Sequence, residues 1–384
     1  MTDPEVSHDG SVQDGDAQLG GARLDGAALD RLRPLAFTVA YRMLGSVAEA
    51  EDVVQEALMR LSQADGVRNP DAFVTTVTTR IAIDVLRSAR VRRESYVGEW
   101  LPEPLVGPVP SNLPVAMAAQ PPDAAAHAVL ADDLSTAFLV LLETLTATER
   151  AAFLLHDVLG FPHSDAAEVI GTSEVAARQL ASRARRRIAR QRGDVVQDGG
   201  DVGPVAPARR TASTADTEAP DGAAASAAPG RARRARADEL VTRFLAACEE
   251  GAVDSFLELL AEDVVLTGDS GGNVPRGMSI ARPVTGRDAI ARLLAGFMRR
   301  GAPVHFERAL VGGEPGLLIM ADDVVGGGLI GTWSFEMSFD VPDGRLAGVR
   351  GVINPEKLRH LGPLADLDRL QAWLRNARPR RGAR

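Results

Sequence analysis

The chain has 384 residues, 45% of them hydrophobic but only 4% aromatic, and a formal net charge of −9; that is enough for two or three domains with ordinary cores and a poor balance for wrapping nucleic acid unaided. A lone cysteine, Cys248, excludes an internal disulfide and any multi-cysteine metal centre and reads as a buried structural thiol. No apolar run approaches the ~20 residues that span a bilayer, and the acidic N-terminus lacks the apolar core of a signal peptide, so a cytoplasmic protein is expected.

Residues 1–27 are rich in Gly, Asp and Ala without periodicity and read as a disordered acidic tail. A helical block is expected over 28–95. Ser46 followed by Glu49 has the capping-box spacing and opens a helix in which Val54, Leu58 and Leu61 recur with helical period. The same helix carries a polar stripe of Glu51, Asp52, Gln55 and Glu56. Asn69-Pro70 starts the next helix, proline being well placed at a first helical position, with Phe73, Val77, Ile81 and Val85 along one side. Further on come Arg80, Arg87, Arg90, Arg92 and Arg93 against one acid, Asp84, which reads as an ion-pair partner. Residues 96–125 hold seven prolines and read as an extended connector.

A second helical block is expected over 126–192, with a capping box at Thr146 and Glu149. Its end reads as a short helix, a turn at Gly171 and a basic helix capped by Thr172 or Ser173. From Ser173 to Arg192 there are seven arginines and one acid, Glu174. Val175, Leu180 and Ile188 are expected to face the first helix, leaving Arg178, Gln179, Ser182 and Arg183 outward. This is the layout of a helix-turn-helix recognition helix. Arg178 and Arg183 suit guanine edges and Gln179 suits adenine, about 1–3 kcal/mol of discrimination for each good pair. Arg185, Arg186, Arg187 and Arg190 suit phosphates.

Residues 193–237 read as a flexible linker, since 194–236 contain no leucine, isoleucine or aromatic residue. After it, helices are expected near 238–250, 254–261 and 286–300, then strands at 303–311, 316–321, 329–339 and 345–353 with turns at Gly312-Gly313 and Asp343-Gly344. Helices followed by a strand meander make an α+β domain with a curved antiparallel sheet. Asp269, Asn273, His305 and Asp322 are candidate polar groups of a pocket there, with Trp333 as a wall.

The two helical blocks resemble the two conserved domains of an extracytoplasmic-function RNA polymerase sigma factor. Ala50-Glu51-Asp52-Val53-Val54-Gln55-Glu56 is similar to the family's polymerase-clamp-binding helix, Phe73 through Arg93 to its −10-element domain, and the helix-turn-helix to its −35-element domain. Gly98-Glu99-Trp100-Leu101-Pro102-Glu103-Pro104 resembles the "WLPEP" signature of the sigma-J-like group, whose members carry a SnoaL-like domain at the C-terminus. Asn354-Pro355-Glu356-Lys357-Leu358 is near that group's "NPDKL", and Asp269-Ser270-Gly271-Gly272-Asn273 stands where the group often has "DGGGK", departing at its second and fifth positions.

The resemblance implies sigma region 2 over 28–95, region 4 over 126–192 and a SnoaL-like cone-shaped regulatory domain over 238–375. It implies polymerase contact at Glu51, Asp52, Gln55 and Glu56, and −10 contact at Arg80, Asp84, Arg87, Arg90, Arg92 and Arg93. Contact with the −35 element falls on Ser173, Glu174, Arg178, Gln179, Ser182, Arg183, Arg185 and Arg186. Regulatory contacts fall on Trp100, Pro102, Asp269, Gly271, Gly272, Asn354, Pro355, Lys357 and Leu358, with Pro355 starting a short helix that presents Leu358 and Leu361 on one face. The expected partners are core RNA polymerase and promoter DNA, with or without a small-molecule ligand in the last domain. No catalytic residue, metal, cofactor or membrane association is expected. Two other readings stay open: a helix-turn-helix regulator acting without polymerase, and a SnoaL-like enzyme with a DNA-binding appendage.

Overall fold

A computed structural model describes residues 26–94, 96–107, 135–191, 228–341 and 343–376. Residues 1–25 of the expected acidic tail, 108–125 of the connector, 126–134 of the expected second helical block and most of the expected linker lie outside these residues.

Helices α1 (Gly26–Leu44), α2 (Val47–Gln63) and α3 (Pro70–Glu94) form the first helical unit. Gly45, at φ 66°, makes the turn between α1 and α2, and the Ser46 hydroxyl caps α2 by accepting from the amide of Glu49. The Asn69 carboxamide caps α3 through the amide of Ala72. Strand β1 (Val106–Gly107) follows, then α4 (Thr136–Glu143), α5 (Ala147–Phe153, prolonged by a π-turn to Val158), α6 (His163–Ile170) and α7 (Glu174–Gln191). Thr146 and Glu149 complete both halves of their capping box. Gly171 ends α6 in the left-handed conformation, φ 77°, which an L side chain rarely adopts.

The two helical units share one apolar core. Leu32, Phe37, Tyr41, Val54 and Leu86 of the first belong to the same buried cluster as Leu139, Leu142, Phe153 and Ile188 of the second. Arg150, 2% exposed, crosses this junction from α5 and donates to the carbonyl of Met43 at 2.6 Å and to Glu143 at 2.8 Å. Burial of a guanidinium is tolerable here because it lands on two acceptors.

The third unit starts earlier than expected. Helix α8 runs Ala228–Glu250, into the stretch read as linker, and α9 is Val253–Leu259. The helical reading of 254–261 missed β2 (Leu260–Asp269), which follows α9 directly. Then come β3 (Val284–Thr285), α10 (Arg287–Met298), β4 (Val304–Val311), β5 (Glu314–Ala321), β6 (Leu329–Ser338), β7 (Arg345–Val352), α11 (Pro355–Leu358) and α12 (Leu367–Asn376). The sheet has seven strands in the order β1-β4-β5-β6-β7-β2-β3, and only β2 with β7 is a parallel pair. Its outer strand β1 comes from the connector, so that segment is not merely an extended spacer. Helices α8, α9 and α10 pack on one face. Between them Phe244 meets Phe256, Trp333 and Phe335 edge-on while Phe306 stacks on Trp333. Trp333, expected to wall a pocket, is 7% exposed in this aromatic core.

Candidate nucleic-acid interface and connector clamp

The recognition helix α7 divides cleanly by period. Ala177, Ala181, Ala184 and Ile188 form its buried stripe, and Ser173 caps its start by accepting from the amide of Ala176. The opposite surface exposes Val175, Arg178, Gln179, Arg183, Arg186 and Arg190, with Ser182 half-buried between them. Two expectations fail. Val175, expected against α6, is 68% exposed. Arg185, expected on phosphates, is 7% exposed and faces Asp157 at 3.5 Å. Both follow from helical phase: position 185 sits beside the buried residues 181, 184 and 188, and position 175 lies across the helix from them. Burial holds the Asp157 carboxyl above its ordinary range, opposed by Arg185 and His156.

The other basic side chains are partly engaged. Arg178 pairs with Glu174 at 2.8 Å, and Arg186 donates to Ser182. Arg187 and Arg183 reach Glu149 at 3.0 and 3.4 Å. Burial would raise the Glu149 pKa, but the Thr146 amide and hydroxyl and these two arginines bring it below the usual carboxylate value. His163, at the start of α6, stacks on His156 at 3.6 Å, and burial followed by that neighbour depresses its pKa.

On α3, Arg87 and Asp84 form the expected exposed ion pair at 3.4 Å. Arg80 does something the sequence did not suggest. Its guanidinium donates to the carbonyls of Glu168 and Val169 at 2.9 and 3.1 Å, at the C-terminal end of α6. It therefore caps a helix of the other unit, where the macrodipole favours a cation. The side chains of Arg90, Arg92 and Arg93 lie outside the described residues. On α2, Asp52 and Gln55 are exposed, while Glu51 and Glu56 are half-buried and pair with Arg33 and Arg60. Met59, 47% exposed, follows on the same face; its spacing of seven from Asp52 could have flagged it.

The connector is gripped from two sides. Toward the first unit, Glu103 accepts from the hydroxyl of Ser46 at 2.8 Å and the amide of Val47 at 2.7 Å, seating a carboxylate on the N-terminus of α2. Its backbone amide donates to the Gly45 carbonyl and its carbonyl accepts from the Tyr41 hydroxyl. Gly45 is required sterically, since a Cβ there would lie 2.7 Å from the Trp100 ring. Toward the third unit, Asp269, fully buried, accepts from the Tyr96 hydroxyl at 2.5 Å, the Leu101 amide at 2.7 Å and the Lys357 ammonium at 2.7 Å. Lys357 also donates to the Leu101 carbonyl and lies 4.1 Å from the Trp100 ring centroid. Burial and the bond to Asp269 raise the Tyr96 pKa well above the usual phenol value.

The residues named by the three short signatures thus meet in one place. Asn354 caps α11 and donates to Tyr96, Pro355 occupies its first turn, and a Cβ on Gly271 would fall 2.4 Å from the Asn354 amide nitrogen. Gly272 borders Val97. Pro102 is buried. Leu358 joins Leu101, Leu329 and Val352 in a small cluster that Leu361 and Val140 of α4 also enter. That cluster is a junction of the connector with the second and third units. Sequence reasoning missed Tyr41, Glu103 and His360, which donates to the Pro104 carbonyl.

The candidate pocket groups do not converge. Asp269 faces the connector and Asn273 is exposed on its turn. His305 bonds Asp322 at 2.7 Å, which raises its pKa, but the pair lies half-exposed at the rim of a cleft of about 250 Å³ lined by Leu245, Cys248, Phe297 and Met298. Burial, then Glu249, pushes the Cys248 thiol up to about 12, which disfavours the thiolate. No group of three or more metal-ligating side chains occurs among the described residues, and none of their helices is long and apolar enough to cross a membrane.

Comparison with known families follows the same three units. The sigma-70 region 2 family matches residues 28–92, sigma-70 region 4 matches 135–188 and a SnoaL-like domain matches 241–349. The architecture is that of a sigma-70-type factor with a SnoaL-like domain appended. The chain is 36% identical over 338 residues to the ECF RNA polymerase sigma factor SigJ of Mycobacterium tuberculosis, covering 85% of this chain and 91% of that protein. It is 30% identical over 285 residues to the probable ECF sigma factor SigI of the same species, covering 68% and 82%. The crystal structure of M. tuberculosis SigJ superposes with a TM-score of 0.60 at 31% identity, covering 87% of this chain and 98% of that one. The chain belongs to the ECF RNA polymerase sigma factors.

Proposed function

We propose that the protein binds core RNA polymerase, directs it to promoters, and has this activity set by its own SnoaL-like domain through the connector. In this reading Asp52, Gln55 and Glu56 of α2, with Met59, dock on polymerase. Arg87, Arg90, Arg92 and Arg93 meet the −10 element, and α7 reads the −35 element. The names of the two elements put them about 25 base pairs apart, roughly 85 Å of duplex at 3.4 Å per pair. Two units that share one apolar core cannot span that distance, so the described arrangement is a closed state that initiation must open.

The observation that carries the regulatory half is the clamp. One short stretch, Tyr96 to Gly107, is fixed to region 2 through Glu103 and to the SnoaL-like domain through Lys357, Asp269 and β1. Val140 of region 4 packs on the same junction, so opening must disturb it. We assign no catalysis to the SnoaL-like domain: the space between its helices and sheet is filled by aromatic side chains, and this disfavours the enzyme reading. The buried contacts between connector, region 2 and SnoaL-like domain give roles to segments that a polymerase-independent regulator would leave idle. Run-off transcription with purified core polymerase tests the assignment. The wild type should give promoter-dependent transcript, and Asp52→Lys/Glu56→Lys should abolish co-purification with polymerase while the protein stays folded, because charge reversal at a docking face repels the partner. Unchanged polymerase binding by that variant would remove the docking assignment.

A further inference from the structure

Val175 is the most exposed large apolar side chain of the recognition helix, at 68%, and nothing in the fold accounts for it. It lies at the second position of α7, whose buried stripe is Ala177, Ala181, Ala184 and Ile188. At 100° per residue the outward stripe opposite runs Val175, Gln179, Ser182 and Arg186. Val175 is therefore the N-terminal member of the surface that a helix-turn-helix presents to base edges. A β-branched residue is a poorer helix former than the alanines that follow it at 176 and 177. It gains no burial in return, so its presence there does not serve the free protein.

The chemistry it offers is specific. Around it stand Ser173, Glu174, Arg178 and Gln179, each a hydrogen-bonding group. A branched apolar tip among polar neighbours can recognise one feature of the major groove, the C5-methyl of thymine, which no hydrogen bond reads. Gln179 sits one turn along, about 6 Å of helix rise, or no more than about two base-pair steps. We infer that Val175 reads a thymine methyl in the −35 element, within one or two base pairs of an adenine read by Gln179. The inference rests on α7 being the −35 reader, as proposed above.

The test replaces a methyl by hydrogen and nothing else. Reconstituted holoenzyme first selects its −35 sequence from a randomised promoter pool. Each thymine of the selected element, on either strand, is then replaced singly by deoxyuridine. At one position the replacement should weaken wild-type binding about threefold to fourfold, the worth of one methyl taken out of water. Val175→Ala, which favours the helix but withdraws the branched tip, should lose most of the thymine preference at that position, and Val175→Thr, which keeps one methyl of the branch, should retain more of it. A wild type indifferent to uracil at every position overturns the inference, as does Val175→Ala retaining the full preference. A holoenzyme that selects no −35 sequence at all removes the reading beneath it as well. That outcome is distinct, because it is seen before any uracil is introduced.

Discussion

Lys357 carries a charge into a place that water barely reaches, 6% exposed against an Asp269 that is wholly buried. Such a pair is stable only as a pair, because each ion left alone would face the cost of desolvation without its counter-charge. Lys357→Met should therefore destabilise the full-length protein by about 3–5 kcal/mol, measured by denaturant unfolding, and Lys357→Met/Asp269→Asn should recover much of the loss. Equal destabilisation by the single and double changes would mean that Asp269 is held by Tyr96 and the Leu101 amide alone. Arg185 and Val175 teach the same lesson from the sequence side. Hydropathy places the arginine outward and the valine inward, whereas their phase against Ala181, Ala184 and Ile188 gives the reverse. Along this helix position, not residue type, decides which side chain is buried.

At the scale of elements, legibility follows the range of the interaction that makes each one. Helices α2, α3, α5 and α7 announce themselves because their caps and periods are local: Ser46 to Glu49, Asn69 to Ala72, Thr146 to Glu149, Ser173 to Ala176. Strands β2 and β1 do not, since β2 pairs in parallel with β7 about eighty residues on, and β1 finds its partner β4 about two hundred residues on. Neither partnership leaves a local trace. The bond of Arg80 to the end of α6 is equally invisible, being an exposed basic residue in every local respect. It predicts a measurable effect. Arg80→Ala should loosen region 4 from region 2 by about 1 kcal/mol, a charged hydrogen bond discounted for its exposure. Faster amide exchange in α6 would report it, with exchange in α1 unchanged. If α6 exchanges at the wild-type rate, Arg80 is not holding the closed state.

For the whole molecule, the order of parts was legible from three short signatures, but the reason for them was not. Trp100, Asp269 and the Asn354–Lys357 turn are far apart in sequence, and only the fold shows that they form one joint around the connector. The joint makes the SnoaL-like domain a structural participant in how regions 2 and 4 sit together. Cleavage of the chain after residue 192, with removal of the C-terminal fragment, should take Asp269, Lys357 and the β4 edge from the connector. Energy transfer between labels on α2 and α7 should then show a smaller closed population, and promoter-dependent transcription should change several-fold. Identical transfer and transcription before and after removal would leave the third domain without a role in the closed state.

The two-sided grip on the connector also bears on descent. Among the described residues, the bonds of Glu103 run to region 2, through Tyr41, Gly45, Ser46, Val47 and Ala48, whereas those of Tyr96 run to Asp269 and Asn354 of the last domain. A lineage that shed its SnoaL-like domain would release Tyr96 from selection at once and hold Glu103 as firmly as before. Across such lineages substitutions should accumulate first at Tyr96, and Glu103 should survive as the fossil of the joint.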